Sequence, residues 1–224
     1  IAIDTSTEYA SVALVNDGRI LAEMTWFCGQ NHTIELLPRL TSLLDQTNLD
    51  IKLATGIIAA LGPGSFNGLR VGVTTAKGLA LSLDVPIVGV STLSVEAYQH
   101  AATGLPVCAI HNAGREEIAT ATYRLQRGKW RRLAEERITT LEALCAEITT
   151  KTVFCGEFMF KGGAELKEKL GRKAVIPSNA ANLRRAGFLA ELGLLRLQTK
   201  DYDDLATLQP LYLRRPPITE RVRH

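Results

Sequence analysis

Gly56-Ile57-Ile58-Ala59-Ala60-Leu61-Gly62-Pro63-Gly64-Ser65-Phe66-Asn67-Gly68-Leu69-Arg70 is the stretch from which the fold is read. A short apolar run ends in a turn holding three glycines and a proline, and an apolar-periodic segment opens at about Leu69. This is the pattern of a strand, a glycine-rich turn and a helix. The glycines suit positive φ or close backbone approach, and Ser65 or Asn67 can cap the first helical amides. Free amides and the helix dipole also make such a turn a general place for phosphate. The usual phosphate fingerprints do not fit, however: Leu69-Arg70 follow Gly68 where a P-loop has Lys and Ser or Thr, and the glycine spacing is one residue too long for the dinucleotide form. Nor is Ser65 in a Gly-x-Ser-x-Gly elbow, because Pro63 and Asn67 hold the outer positions. From these residues a tight packing turn and an anion-binding turn both stay open.

Along the helix after the turn, Gly72, Ala76, Leu79, Ala80 and Leu83 share one face, so the backbone there admits close approach by another element, internal or foreign. Upstream, 33–46 reads as a second helix with Leu36, Leu37, Leu40, Leu43 and Leu44 on a broad face, either starting near Leu36 or kinked at Pro38. Ile1-Ala2-Ile3-Asp4 begins a buried strand ending on a carboxylate, and strand patterns at 11–15 and 20–25 flank the hairpin signal Asn16-Asp17-Gly18. A strand at 86–90 and a helix at 92–102 follow. Three antiparallel strands and then alternating helix and strand are the order of a ribonuclease H-like module, which gives a first domain at 1–103.

The remainder, 104–224, reads as a smaller α/β domain that is a trimmed copy of the first. Strands are expected at 105–110, 117–125 and 129–138, with Trp130 as an anchor, and further strands at 152–155 and 174–176. A short helix at 140–149, one following Gly162-Gly163 and ending at Leu170, and a long one at 182–197 complete it. In the last, Leu183, Ala186, Leu189, Ala190 and Leu194 are expected to face the core. The chain ends in a basic tail, with Arg214-Arg215-Pro216-Pro217 and Arg221-Val222-Arg223-His224.

Four motifs in order make the whole chain resemble the bacterial TsaB (formerly YeaZ) family. Gly62-Pro63-Gly64-Ser65-Phe66-Asn67-Gly68-Leu69-Arg70 is similar to its GPGSFTGLR signature, with Asn67 keeping a polar side chain where the family has Thr. Ile3-Asp4-Thr5-Ser6-Thr7 matches the opening strand, His32 with Leu36-Leu37-Pro38 a second motif, and Pro210-Leu211-Tyr212-Leu213-Arg214 a fourth. The resemblance implies an α/β fold of two ribonuclease H-like, actin-like ATPase modules, the second degenerate. It implies a non-catalytic subunit for threonylcarbamoyladenosine on tRNAs reading ANN codons. In that family transfer belongs to the paralogue TsaD, with TsaE as an associated ATPase, and TsaB pairs with TsaD through a bundle of N-terminal helices. Carried onto this chain, Leu36, Leu37, Leu40, Leu44, Gly72, Ala76, Leu79 and Ala80 are the expected partner surface. Asp4, Thr5, Ser6 and Thr7 would be a vestigial nucleotide site or simply a capped polar turn. No cofactor is expected on this chain alone, with ATP or ADP and magnesium confined to the complex. A homodimer of the isolated chain through the same helices and tRNA contact, indirectly or through the basic tail, both stay open, a solvated tail being the commoner reading.

Composition sets outer bounds. Of 224 residues 46% are hydrophobic and 22% charged, ordinary for a globular chain with a substantial core. No apolar run approaches the ~20 residues of a membrane span. The chain opens directly on a strand pattern without a signal-peptide pattern. Cys28, Cys108, Cys145 and Cys155 show no CxxC pairing, which points to a reduced, cytoplasmic setting and away from zinc. A net charge of +3 is too small to mark a nucleic-acid binder, so any RNA contact must come from a local patch. His32, His100, His111 and His224 lack metal-ligand spacing and read as surface or capping residues. Family members carry Asp-Ala-Arg where this chain has Asn112-Ala113-Gly114-Arg115, and the loop at Cys155-Gly156-Glu157-Phe158 lacks the small residues of a phosphate loop. With Asp4 the only suggestively placed acid, no catalytic residue and no metal site are assigned. A stand-alone ATPase or phosphotransferase around Asp4 is the alternative, and a peptidase finds neither zinc cluster nor nucleophile and base.

Overall fold

A computed structural model describes residues 1–214, so the basic tail from Arg215 onward lies outside the described residues. The chain opens with an antiparallel meander, β1 (Ala2–Asp4), β2 (Tyr9–Asn16) and β3 (Arg19–Phe27), turned at Asp17-Gly18, which both take positive φ. Helix α1 (His32–Thr47) starts four residues ahead of Leu36 and holds Pro38 inside it. Then come β4 (Ile57–Gly62), α2 (Phe66–Leu83), β5 (Ile87–Ser91) and the short α3 (Thr92–Tyr98). The sheet order is β3-β2-β1-β4-β5, with β1, β4 and β5 parallel.

Both faces of this sheet are buried, and alternation along the strands divides them. Ile1, Ile3, Val12, Leu14, Ile57, Ala59 and Ile87 face α1 and α2. Ala2, Ala13, Ile58, Ala60, Val88 and Val90 face the other way.

The second sheet repeats this order. Its meander is β6 (Val107–Gly114), β7 (Glu117–Gln126) and β8 (Lys129–Thr140), followed by α4 (Leu141–Glu147), β9 (Thr152–Cys155), α5 (Met159–Leu170) and β10 (Ala174–Val175). Helices α4 and α5 cover one face around Phe154 and Leu166, and α3 covers the other through Leu93 and Ala97. The module is mixed α/β like the first but shorter, its last strand being two residues against five in β5.

Two expectations change. Gly162 and Gly163 lie inside α5 rather than before it, where a Cβ on Gly162 would meet the Phe158 ring at 2.1 Å. More important, α6 (Ala186–Gln198) starts four residues later than the apolar pattern suggests and does not serve the second half. Ala186, Leu189, Ala190 and Leu192 pack on the free face of the first sheet. The approach is close, since a Cβ on Gly193 would lie 2.4 Å from Ile58. Beyond α6 the chain stays on the first module: Asp203 N donates to Ile87 O, and Leu211 N to Leu61 O at 2.7 Å. A boundary at 103 therefore separates the first sheet from the helix that covers it.

Candidate functional site

The turn between β1 and β2 is the meeting point of the motifs. Its four residues spend their polar groups inside the chain. Ser6 donates to Asp4 Oδ1 through its amide at 2.8 Å and its hydroxyl at 2.5 Å, and Thr5 Oγ1 donates to Gly68 O at 2.7 Å. Asp4, Thr5 and Ser6 are buried. The signature loop is pressed onto this turn: Ser65 N donates to Ser6 O, and a Cβ on Gly64, Gly68 or Gly72 would come within 2.1–2.2 Å of Ser6 O, Thr5 O or Thr5 Oγ1. Those glycines answer a packing need, which supports the tight-packing reading of the loop. Ser65 caps α2 by accepting from Gly68 N at 3.3 Å.

On the far side of Asp4 stands Arg184, 2% exposed, which the sequence did not mark. Its Nε donates to Asp4 Oδ2 at 2.8 Å, Nη1 to Glu96 Oε1 at 2.9 Å and to Glu157 Oε1 at 3.1 Å, and Nη2 to Thr7 Oγ1 at 2.9 Å. Thr7 in turn donates to Glu157 Oε1 at 2.7 Å. Burial alone would raise the Asp4 carboxyl, but the Arg184 charge and the Ser6 and Arg184 hydrogen bonds outweigh it and hold the group below the usual carboxylate range. Burial likewise pulls the Arg184 guanidinium down, and the charges of Asp4, Glu157 and Glu96 overcome it, so the group stays ionised. Three carboxylates from three elements thus converge on one guanidinium. These residues do not fit a nucleotide with its metal: Arg184 holds Asp4, the turn hydroxyls are engaged, and glycine backbone fills the space above them. Among the described residues no group of three or more His, Cys, Asp or Glu is placed to hold a metal ion.

A second-half acid is therefore present, contrary to the sequence reading. Glu157 comes from the loop after β9 and Glu96 from α3. Glu96 carried a legible signal, a carboxylate on the same helix face as Leu93 and next to buried Ala97. Arg184, in irregular chain ahead of α6, carried none. Two histidines also differ from expectation. His32 is buried and places Nε2 2.7 Å from Thr7 O, and His111 is buried with Nε2 3.1 Å from Glu96 Oε1, without an aligned hydrogen bond. Burial pushes the Cys108 and Cys155 thiols up, so neither is a ready nucleophile.

The outer side of the signature loop meets the fourth motif. Phe66 lies 5.3 Å from Tyr212 between ring centroids, and the Arg70 guanidinium sits over Phe66 at 4.1 Å. Phe66 and Tyr212, together with Pro63, His111 and Asn112, border an open cleft of about 500 Å³ between the two sheets. Asn112 itself lies near the end of β6, at its register shift, and its side chain accepts from Gly114 N.

The expected partner surface is largely internal. Leu36, Leu40, Gly72, Ala76 and Ala80 are buried between α1, α2 and the sheet, while Leu44 and Leu79 are half-buried against the same core. The periodicity marked the core face of these helices, because in a two-layer packing the strongest apolar stripe belongs inside. What α1 and α2 present outward is Ile34 (69% exposed), Leu37 (50%) and Leu81 (71%), with Gly78 beside open space. No helix among the described residues is long and apolar enough to cross a membrane.

A family model described as TsaD, tRNA N6-adenosine threonylcarbamoyltransferase, matches residues 27–215. The tRNA threonylcarbamoyladenosine biosynthesis protein TsaB of Bacillus subtilis is 30% identical over 217 residues, covering 96% of this chain and 93% of that protein. Its namesake in Escherichia coli is 41% identical over 97 residues, 43% of this chain and 42% of that protein. YeaZ from Pseudomonas aeruginosa superposes with a TM-score of 0.78 at 26% identity, covering 94% of this chain and 98% of that one.

Proposed function

We propose, because this chain belongs to the TsaB (YeaZ) family of tRNA threonylcarbamoyladenosine biosynthesis proteins, that its part in that tRNA modification is that of a non-catalytic subunit supporting TsaD together with TsaE. The observation that carries this reading is Arg184. An actin-like ATPase needs the first turn free for phosphate and its aspartate free for a metal, whereas here Asp4, Glu96 and Glu157 all neutralise an internal cation. A group held in this way braces two modules and has no open coordination or proton-transfer position.

Binding of TsaD belongs to the outer face of α1 and α2. Ile34, Leu37 and Leu81 are large apolar side chains left in water, and Gly78 lets another backbone approach. Nucleotide and magnesium, in this reading, act at the complex and on the partners. Reconstitution tests it: TsaD and TsaE with threonylcarbamoyl-adenylate and tRNA should yield threonylcarbamoyladenosine only when this chain is added. The chain alone should neither make product nor hydrolyse ATP. Product formation without the chain, or ATP turnover by the chain alone, would overturn the assignment.

A further inference from the structure

We propose that the tip of the β7–β8 hairpin is an RNA-phosphate contact surface. Between 124 and 132 the chain reads Arg-Leu-Gln-Arg-Gly-Lys-Trp-Arg-Arg, five cations in nine residues with no acid. Strand register places Arg124 directly opposite Arg131 and Gln126 opposite Lys129, on one face of the ribbon, with Arg127 at the turn. Like charges directly across a sheet oppose pairing, so the arrangement suits a ligand that neutralises it. Arg132 is spoken for by Glu135 and Glu136, but among the described residues Arg124, Arg127, Lys129 and Arg131 have no carboxylate within ion-pair distance. Arg127, Lys129 and Arg131 are exposed, and Arg124 is steadied by its bond to Gly104 O.

The other face of the ribbon fixes the hairpin to the body. Trp130 stacks on Tyr123 at 5.5 Å, meets Tyr98 edge-on and donates to Ser94 Oγ, while Tyr98 also meets Phe188 of α6. The cations therefore stand on a rigid ribbon. They lie on the α6 side of the first sheet, opposite to α1 and α2, and stay accessible when that outer helix face is covered. Guanidinium forks grip phosphate oxygens in pairs, and cations repeated along two strands match an extended polyanion better than a single carboxylate. The aromatic rings face inward and the exposed apolar side chains beside the charge are single leucines, Leu125 and Leu133, short of the broad apolar face a bilayer surface rewards. That the polyanion is tRNA rests on the functional reading above.

The test compares the full chain with its R127Q/K129Q/R131Q variant, using a labelled ANN-decoding tRNA transcript in anisotropy titrations between 50 and 200 mM salt. Wild type should bind with salt-dependent affinity. The variant should keep the wild-type melting curve, bind at least about tenfold more weakly at low salt, and show a log–log salt slope smaller by about 2–3. Equal affinity and slope for the two proteins, or no salt-dependent binding by either, would overturn the surface. So would a variant defect confined to phosphatidylserine vesicles with tRNA binding intact. The two readings fail separately. If the variant loses tRNA while reconstituted modification proceeds without the chain, the surface stands and the functional reading falls. If modification needs the chain but proceeds unchanged with a variant that binds tRNA normally, the surface falls alone.

Discussion

Arg184 shows how a single buried cation can organise the polar groups around it. A buried guanidinium costs several kcal/mol to desolvate, and it is tolerated here because three carboxylates and a hydroxyl satisfy it. Removing it leaves Asp4, Glu96 and Glu157 buried together without a cation. Arg184→Ala should therefore lose about 3–5 kcal/mol, read as a lower urea midpoint with little change in slope. The Asp4 carboxyl, held below its ordinary range by Arg184 and Ser6, fixes the sign of the pH effect. A carboxyl with a lower pKa in the folded than in the unfolded chain contributes stability fully above the unfolded value of about 3.9, and loses it as the pH falls through the folded value. Asp4→Asn should be less stable than wild type at pH 7, and the gap should narrow below about pH 4. A gap that widens in acid would contradict the ion pair. Neither residue's role was open to sequence reasoning in full: Asp4 stood out at a strand end, but its partner lies 180 positions away, where the apolar pattern suggests helix and the structure has irregular chain ahead of α6.

At the scale of elements, α2 separates two kinds of glycine. Gly68 and Gly72 face the turn at contact distance, where a methyl group would meet Thr5, whereas Gly78 faces open space with ordinary helical backbone. An exposed helical glycine loses about 1 kcal/mol relative to alanine, so Gly78→Ala should raise the stability of the isolated chain by about that much in thermal or urea melts. The same change places a methyl group on the face assigned to TsaD, so complex formation should weaken while the monomer gains. Leu81→Asp on that face should leave the melt unchanged and abolish co-purification with TsaD. Ala76→Arg, by contrast, should fail to fold, because Ala76 is fully buried. Hydrophobic periodicity made α1, α2 and most strands legible, since alternation and the i, i+3, i+4 stripe report burial. It could not separate the face that meets the chain's own sheet from the residues left outside, of which Leu37 stood in the expected surface while Ile34 and Leu81 did not.

At the scale of the whole molecule, the order of elements along the chain misleads about its mechanics. The strand sequence made two similar modules legible, and the two sheets share one order. The composition of α6 gave no hint of its destination, since an apolar helix at the end of the second half serves either sheet equally well until three-dimensional proximity decides. In the structure it closes the first sheet, and Arg184 just ahead of it ties β1, α3 and the loop after β9 together. The first 103 residues alone would expose the face formed by Ala2, Ala13, Ile58, Ala60, Val88 and Val90. Re-exposing the valines and isoleucine costs roughly 1.5–3 kcal/mol each, which consumes much of the 5–15 kcal/mol that stabilises an ordinary domain. A fragment of residues 1–103 should therefore unfold without a cooperative transition and bind a hydrophobic dye, although the sequence reads as a complete module. The full chain should instead unfold in one calorimetric transition whose van't Hoff and calorimetric enthalpies agree. A sharp independent melt for the fragment would mean that α6 is an accessory cover, and two separate transitions in the full chain would mean that Arg184 does not couple the modules.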